Sequence, residues 1–346
     1  MPRVLLLGYD PDQPSFRHRI ASLLPALAER GWDARVERFP GGRYGIRTWE
    51  RREWLRWADV TVLHQIKLAA IEARLFAAFS RRRVFDFDDA IYVRKPRTLG
   101  APADDSRWRR AKFVATCRLA DAVAAGNAVL ASAARPVARR VEILPTSIDV
   151  AQYPRASADG DAGDRVIVAW IGSPENLVYL EMIRPALARL AARNPAFRLR
   201  VICSSFPDWP EVPIERVAWS AAGEAASLAS AQVGIMPLTA DEWARGKCAF
   251  KLLQYMAAGL PCVASPVGAN REAVLDGVTG YHATDEAAWE RCLQALIDSR
   301  DLRARFGAAG RAHVERHYAM SVYRRRYLAL LEDLASRRAA APGRSA

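Results

Sequence analysis

Short apolar segments alternate with amphipathic segments along the first half of the chain. The stretches between the apolar segments have helical periodicity, as in FRHRIASLLPALAERG (16–31), which predicts one helix that ends at a glycine. Apolar strands joined by helices indicate a parallel sheet that is covered on both faces. The predicted strands are RVLLLG (3–8), ARVERF (34–39), DVTVLH (59–64), RVFDFD (83–88), AVAAG (122–126) and VEILP (141–145).

The same alternation starts again after a polar segment. Small and polar residues without periodicity predict an interdomain linker at 156–164. We therefore predict an α/β protein with two doubly wound, Rossmann-like parallel-sheet domains, residues 1–155 and 165–318, followed by a last helix at 319–338. The cleft between two such domains is the expected ligand site. Strands in the second half are predicted at 166–172, 197–205, 216–220, 233–238 and 261–266, and helices at 175–193, 247–258, 285–299 and 301–316.

Length and charge narrow the range of possible functions. The chain has 346 residues, more than one hydrophobic core usually serves, which fits two domains. Residues 1–160 carry 28 Lys or Arg and 18 Asp or Glu, a net charge of +10, whereas residues 161–346 carry 23 and 20, a net charge of +3. The basic first half favours an anionic partner, either nucleic acid or a membrane surface, although an arginine-rich composition also arises in GC-rich genomes. RNP, KH and helix-turn-helix signatures are missing, so nucleic acid is not the expected partner.

The cysteines and the hydropathy pattern predict a cytoplasmic protein. Five cysteines are scattered without a C-x-x-C pair, which is typical of reduced thiols and of neither a disulfide framework nor a zinc site. The first residues contain no signal-peptide pattern, and no apolar run reaches the ~18 residues that span a bilayer.

One segment suggests peripheral binding to the inner face of the membrane. GIRTWERREWLRW (45–57) predicts an amphipathic helix, and basic and aromatic side chains together can dock on anionic headgroups. The alternative is a helix that packs its tryptophans on its own sheet. One predicted face carries Ile46, Trp49, Trp54 and Trp57, and the other carries Arg47, Arg51, Arg52 and Arg56.

Glycine-rich nucleotide motifs are absent, but two lysines mark a phosphate site. The turns after the first strand of each half lack G-x-G-x-x-G, and there is no Walker A sequence. Lys247 and Lys251 stand one turn apart where the helix 247–258 is predicted to begin. Cations are unfavourable at a helix amino terminus, but a phosphate there would be bound by both the lysines and the free N–H groups. Two solvated surface lysines are the alternative.

Three segments resemble the GT-B glycosyltransferases, and among them the retaining family 4 enzymes. KLLQYMAAGLPCVASPVGANREAVLDGVTGY (251–281) is similar to the donor-binding block of that family. VEILPTSIDVAQYP (141–154) resembles the bridge between its domains, and RHYAMSVYRRRYLALL resembles its last helix, which crosses back to the first domain. The resemblance implies a GT-B fold, with an acceptor-binding first domain and a second domain that binds a nucleotide sugar.

The resemblance also indicates which residues bind the donor, and at several of these positions the chain departs from the family's motif. Gln254 stands at the second Glu of the family's donor motif, where it would receive the ribose hydroxyls, and Gly246 replaces the first Glu, which supports the sugar. Ser173 lies in a turn that has lost the family's Arg–Lys pair. Lys247 and Lys251 would then neutralise the diphosphate, beside the N–H groups of a helix that begins at Gly246 to Cys248. Asp241 is a candidate replacement for the missing carboxylate.

Candidate acceptor and catalytic residues follow strands of the first domain. By the resemblance, His64 lines the catalytic cleft, and Asp88 and Asp89 accept hydrogen bonds from sugar or acceptor hydroxyls. The alternatives are a satisfied strand-end histidine and caps of the next helix. Asp86, Asp88 and Asp89 also look like a D-x-D metal motif, but that motif belongs to the other glycosyltransferase fold, so neither metal nor cofactor is expected. Candidates for acceptor or phosphate binding at the first helix are Ser15, Arg17 and Arg19.

The resemblance implies a retaining transferase of polysaccharide-type biosynthesis. It would move a sugar from a UDP- or GDP-type donor to a hydroxyl of a glycan, glycolipid or small molecule. Three other interpretations stay open: a GT-B sugar-nucleotide epimerase, a non-catalytic GT-B partner subunit, and a basic nucleic-acid-binding protein.

Overall fold

The computed structural model describes residues 1–42, 44–96, 106–155 and 165–337 of the chain, and the predicted linker at 156–164 lies outside them. The first sheet is parallel and has the order β2-β1-β3-β4-β5-β6. Each predicted strand of the first half is present. The strands are β1 Arg3–Gly8, β2 Asp33–Arg38, β3 Val60–His64, β4 Arg82–Phe87, β5 Ala122–Ala125 and β6 Val141–Ile143.

The second sheet is also parallel and has the order β12-β11-β10-β7-β8-β9. The prediction of two doubly wound α/β domains is thus confirmed, and of the strands in the described residues β12 was missed, because Gly280–His282 lies in a polar stretch without an apolar run. The strands are β7 Val166–Ile171, β8 Phe197–Cys203, β9 Ile214–Ala218, β10 Val233–Met236, β11 Cys262–Ala264 and β12 Gly280–His282.

Helices cover both faces of each sheet. Successive side chains of β1 point to opposite faces, so Val4 and Leu6 contact one layer, with the last helix, and Leu5 and Leu7 the other. In the first domain the helices are α1 Pro14–Arg19, α2 Leu24–Glu29, α3 Ile46–Glu50, α4 Arg52–Trp57, α5 Ala70–Phe79, α6 Arg107–Leu119 and α7 Ala128–Ala134. In the second they are α8 Leu177–Glu181, α9 Arg184–Arg193, α10 Glu224–Ala229, α11 Glu242–Arg245, α12 Phe250–Ala257, α13 Asn270–Ala273, α14 Glu286–Asp298, α15 Arg300–His317 and α16 Met320–Ser336.

The last helix belongs in space to the first domain. Tyr327, Leu331 and Leu334 of α16 are buried in the core layer that also contains α1 and α2. The Tyr323 hydroxyl donates to the carbonyl oxygen of Arg19 at 2.7 Å. The chain therefore crosses back from the second domain and ties the two ends of the molecule together.

Two predicted helices of the first domain are wrong in detail. The helix predicted at 16–31 is broken into α1 and α2, because Pro25 lacks an N–H group and its ring cannot follow a helical turn. The helix predicted at 45–57 is likewise two short helices, α3 and α4. Arg47, expected on a solvated arginine face, is buried.

Arg47 is buried because a carboxylate neutralises it. Its Nε and Nη2 atoms each donate to a carboxylate oxygen of Glu72 at 2.7 Å. Ile46 and Trp49, by contrast, are 52% and 54% exposed. The predicted separation into an aromatic and an arginine face therefore does not hold.

No helix in the described part of the chain combines the length and the apolar character that crossing a bilayer requires.

Candidate functional site

The carboxyl ends of both sheets meet at a cleft that contains a cavity of about 480 Å³. A cavity of this size and position is typical of a small-molecule site. Nine of the predicted site residues line it: Ser15, Arg17, Asp88, Asp89, Ser173, Lys247, Cys248, Lys251 and Gln254.

On the first-domain side, four polar side chains form one hydrogen-bonded group. The Ser15 hydroxyl oxygen lies 2.9 Å from His64 Nε2 and 2.8 Å from Asp88 Oδ1. The amide nitrogen of Gln65 donates to Asp88 Oδ1 at 2.6 Å and to Ser15 at 3.1 Å. Gln65 has a φ of 55°, which non-glycine residues seldom adopt, and such strain concentrates at functional sites. The group fixes the Asp88 carboxylate at the wall of the cavity.

His64 stands behind Ser15, one layer away from the cavity wall, and a buried ion pair orients it. Its Nδ1 lies 2.8 Å from Asp86 Oδ1, which also accepts from Arg19 Nε at 2.7 Å. Burial opposes ionisation of Asp86, but Arg19 and the His64 hydrogen bond outweigh it and lower the pKa of that carboxyl group. The ionised Asp86 keeps a proton on Nδ1 of His64, so that Nε2 faces Ser15.

The order Asp86–His64–Ser15 is that of a nucleophile triad, but Asp88 changes what it does. The Ser15 hydroxyl has one proton, and a carboxylate is a stronger acceptor than an imidazole nitrogen. Donation to Asp88 leaves the Ser15 hydroxyl with no proton for Nε2 of His64, so the hydroxyl serves the Asp88 carboxylate. The arrangement is therefore suited to positioning a hydrogen-bond acceptor in the cleft, not to activating serine.

Arg19 and Asp241 were predicted to contact ligands, and neither lines the cavity. Arg19 is buried, donates to Asp86 and to the carbonyl oxygen of Leu144, and lies under the Tyr323 ring at 5.6 Å. Asp241 caps α11 by accepting from the backbone N–H of Ala244 at 2.9 Å. Both predictions are corrected to structural roles.

The predicted helix start was three residues early, which also moves Gly246. Helix α12 begins at Phe250, after Ala249 with a left-handed φ of 56°. Gly246 does not line the cavity but touches the first domain, where an added Cβ would lie 2.7 Å from the backbone nitrogen of Ala90. The Asn127 amide donates to the carbonyl oxygens of Gly246 and Lys247 at 3.0 and 3.1 Å. Gly246 thus permits domain contact instead of binding donor.

Positive charge gathers on the second-domain side of the cavity. Burial and the neighbouring Lys247 lower the pKa of Lys251 to about 7, against the influence of Asp89. The pKa of Lys95 is lowered too, by burial and by Lys247. An added Cβ on Gly172 would lie 2.6 Å from the Trp170 ring and 3.1 Å from Lys251 Cε, so glycine leaves space for both side chains.

Backbone N–H groups add to this charge. Among the described residues, the N–H groups of Phe250 and Lys251, in the first turn of α12, have no acceptor. Free N–H groups at a helix amino terminus and cations together favour an anion. Across the cavity, burial and Asp88 raise the pKa of Asp89 to about 7. A protonated Asp89 would not oppose a bound anion.

A second cluster, absent from the sequence predictions, surrounds Gln254. Its amide nitrogen donates to Glu224 Oε1 at 3.0 Å and lies 3.1 Å from the Tyr153 hydroxyl, which itself donates to Glu224 at 2.9 Å. Trp219 Nε1 donates to the other Glu224 oxygen at 2.9 Å. The amide therefore holds a carboxylate at the cavity wall, close to where the family's motif would put one.

His18 is a further cavity residue that the sequence did not indicate. Its ring packs against that of Phe250 at a tilt of 43°, with centroids 4.7 Å apart, and burial together with Arg17 lowers its pKa. Glu224, Trp219 and His18 were missed because no spacing joins them to the donor block. Their role follows only from the folded cleft.

Among the described residues, no group of three or more His, Cys, Asp or Glu side chains is arranged to hold a metal ion.

Comparison with known proteins finds a family match in the second domain. Residues 165–299 match the model of the family described as glycosyl transferases group 1. A D-inositol 3-phosphate glycosyltransferase of Nocardia farcinica is 27% identical over 195 residues, 50% of this chain and 43% of that protein. A phosphatidyl-myo-inositol mannosyltransferase of Mycobacterium leprae is 37% identical over 117 residues, 33% of this chain and 30% of that protein. The chain thus spans less than half the length of these curated relatives.

Solved structures match over nearly the whole chain. A sucrose-phosphate synthase from Thermosynechococcus elongatus superposes with a TM-score of 0.73 at 15% identity, covering 96% of this chain and 99% of that one. Anabaena HepE in complex with UDP and glucose gives a TM-score of 0.69 at 13% identity, covering 96% of this chain and 100% of that one. The chain has the GT-B fold, and residues 165–299 of its second domain match the family described as glycosyl transferases group 1.

Proposed function

We propose that the protein is a retaining glycosyltransferase that moves a sugar from a UDP- or GDP-type donor to a hydroxyl acceptor. One observation carries the proposal: the cleft cavity joins a cationic end, at Lys251 and the first turn of α12, to a carboxylate end at Glu224 and Gln254. A nucleotide sugar needs the first for its diphosphate and the second for its ribose hydroxyls. Complexes of Anabaena HepE with UDP and with UDP-glucose support this choice of donor.

In the proposed reaction the protein stabilises charge on the leaving diphosphate. Lys247, Lys251 and the N–H groups of α12 are fixed in place before the sugar–phosphate bond breaks, which is the electrostatic form of catalysis. Asp88, held by Ser15 and Gln65, accepts a hydrogen bond from a hydroxyl of the sugar or the acceptor. The leaving phosphate takes the acceptor's proton on the same face, and the configuration is retained. Neither metal nor cofactor has a part in this scheme.

A panel of sugar nucleotides tests the donor. UDP-, GDP-, ADP- and TDP-sugars are added to the protein in EDTA, and the melting temperature is measured. We expect one nucleotide class to stabilise the fold and to be consumed when acceptor hydroxyls are supplied, with the anomeric configuration of the donor retained in NMR spectra of the product. Consumption without acceptor and with an epimerised sugar would indicate the epimerase instead. Stabilisation without turnover would indicate a non-catalytic partner, and turnover only after magnesium is added would contradict metal independence.

UDP affinity is expected to fall as the pH rises above about 7. Diphosphate binds the ammonium form of Lys251, whose pKa in the empty site is lowered to about 7 by burial and by Lys247. Above that pH, binding must take up a proton, and Asp89, whose pKa burial raises to about 7, ionises and repels the ligand. The fall approaches tenfold per pH unit for each linked proton. Calorimetry at about pH 7.5 and 8.5, above the second phosphate pKa near 6, measures it, with uridine as the control. A UDP affinity that is flat or rises with pH would contradict this linkage.

We propose that α3 docks the protein on anionic membrane surfaces. Ile46 and Trp49 are exposed, and the Arg52 guanidinium lies 4.7 Å from the Trp49 ring. Liposome flotation at low salt should show binding to anionic but not to neutral vesicles, and the variant Trp49→Ala with Arg52→Gln should lose most of it. Arg47 is left unchanged, because its removal would strand buried Glu72. Equal flotation of variant and wild type would return α3 to a purely structural role.

A further inference from the structure

A second group of cations lies outside the cleft cavity. Lys67 follows β3 by three residues and is only 9% exposed. Two other cations on α6, Arg109 and Lys112, are close enough to lower its pKa. Among the described residues, no carboxylate forms an ion pair with any of these three side chains. Two acids in the described part of the chain pair with other arginines, Glu72 with Arg47 and Glu242 with Arg110.

The group is built from the edge of the sheet that carries the site. The Lys67 backbone N–H donates to the hydroxyl of Tyr9, in the loop after β1, at 3.4 Å. Arg109 donates to the carbonyl oxygen of Ile91, in the loop after β4, at 3.3 Å. The loops that follow these strands also carry or adjoin the hydrogen-bonded group around Asp88. The cations therefore stand at the carboxyl edge of the acceptor-side sheet, next to the reacting centre.

The α6 end of the group is open and aromatic. Lys112 Nζ lies 5.2 Å from the ring of Tyr44 and 5.4 Å from that of Trp108, and both rings are about half exposed. Its ammonium group donates to the Tyr44 hydroxyl at 3.2 Å. Arg109 and Lys112 are both half-buried, so the group extends from the buried Lys67 to side chains that are partly exposed. A ligand can thus reach it from solvent.

A buried lysine is unfavourable unless something compensates its charge. Burial, Arg109 and Lys112 together lower the pKa of Lys67 to about 7, and no acidic group within the described ranges opposes them. A structural role would not need three cations close together without a carboxylate from those ranges, because a neutral side chain would pack there more favourably. A bound anion would neutralise them and restore the charge of Lys67.

We propose that Lys67, Arg109 and Lys112 form a binding site for a phosphate group carried by the acceptor. This inference rests on the proposed function, because it assumes that the protein transfers a sugar to an acceptor. The three donors match the oxygens of a phosphate mono- or diester, and the site lies on the domain opposite the donor diphosphate. The phosphate would place the acceptor with its hydroxyl towards Asp88. Both a phosphorylated soluble compound and a phospholipid headgroup carry this chemistry.

The test measures binding of inorganic phosphate in the Lys251→Met background, where the diphosphate site has lost its principal cation. Calorimetry in two buffers of different ionisation enthalpy gives both the affinity and the protons taken up. We expect phosphate to bind with proton uptake at about pH 8, since it restores the charge of Lys67. Adding Lys67→Met should weaken phosphate binding at least tenfold and abolish the proton uptake. Lys67→Arg should keep the phosphate affinity but bind without proton uptake.

A stability measurement guards against a variant that fails to fold. Lys67→Met removes a buried cation with which no described carboxylate forms an ion pair, so its melting temperature without phosphate should equal or exceed that of the wild type. Phosphate affinity and proton uptake that are both unchanged by Lys67→Met would overturn the site. Because no nucleotide is used, this result is independent of whether the donor proposal holds.

Vesicles distinguish the two sources of the phosphate group. If the wild type binds phosphatidic acid vesicles, inorganic phosphate competes with them and Lys67→Met no longer binds them, the ligand is a lipid headgroup. If Lys67→Met loses inorganic phosphate but binds vesicles as the wild type does, the ligand is a soluble phosphorylated acceptor.

Discussion

Replacing Lys251 by methionine is expected to weaken UDP binding between about tenfold and a hundredfold while leaving uridine binding nearly unchanged. A hydrogen bond to a charged group contributes roughly 1.5–3 kcal/mol, and each ~1.4 kcal/mol is tenfold in affinity. Lys251 stands beside Lys247 and the free N–H groups at the start of α12, and only the diphosphate needs that charge. Calorimetric titration of both ligands measures the difference.

A charge-conserving variant serves as the matched control. Lys251→Arg keeps the cation on a side chain of similar length, so it should recover part of the UDP affinity that Lys251→Met loses. Methionine preserves the bulk packed against Gly172 and Trp170, which separates loss of charge from loss of packing. Equal losses of affinity for UDP and uridine in Lys251→Met would show that Lys251 does not bind the diphosphate.

Replacing Gln254 by glutamate should also weaken donor binding, although it restores the residue common in the family. The new carboxylate would lie against Glu224, whose Oε1 is 3.0 Å from the present amide nitrogen. Two charges ~4 Å apart at an effective dielectric of ~20 repel by about 4 kcal/mol before protonation relieves them. The amide hydrogen bonds that hold Glu224 and Tyr153 would be lost as well. We expect lower stability and at least tenfold weaker UDP binding.

Exchanging the amide and the carboxylate tests the interaction between residues 254 and 224 by itself. In the double variant Gln254→Glu with Glu224→Gln, one carboxylate and one amide again face each other across the same hydrogen bond. Stability should return towards that of the wild type, and UDP affinity should exceed that of Gln254→Glu alone. Tighter UDP binding by the single variant would mean that Gln254 is a degraded glutamate and that Glu224 does not serve the ribose.

The sheets could be predicted because buried parallel strands are continuous apolar runs, which are visible in any one segment of sequence. Helix ends were harder to predict, as Pro25 and the left-handed Ala249 show. Propensity favoured a helix from residue 247, but one backbone reversal at Ala249 delays it to Phe250. That reversal leaves the N–H groups of the first turn free and sends Lys247 and Lys251 to the same cavity.

Strand-end residues could be predicted, but their partners could not. His64 and Asp88 end or follow neighbouring strands, so topology alone brings them together. Ser15 lies 49 residues from His64 in the chain and 73 from Asp88, and Glu224 lies 30 residues from Gln254. No local pattern encodes contacts over such separations. The misplaced role of Arg19 has the same origin, since its partner Asp86 lies 67 residues away.

A crystal structure of the protein with UDP would show where the nucleotide binds. We expect the diphosphate within hydrogen-bonding distance, about 3 Å, of Lys251 Nζ and of the N–H groups at the start of α12. We also expect the ribose hydroxyls on the Glu224 carboxylate beside Gln254. A diphosphate bound away from Lys251, or a ribose that makes no contact with Glu224, would contradict the proposed donor site.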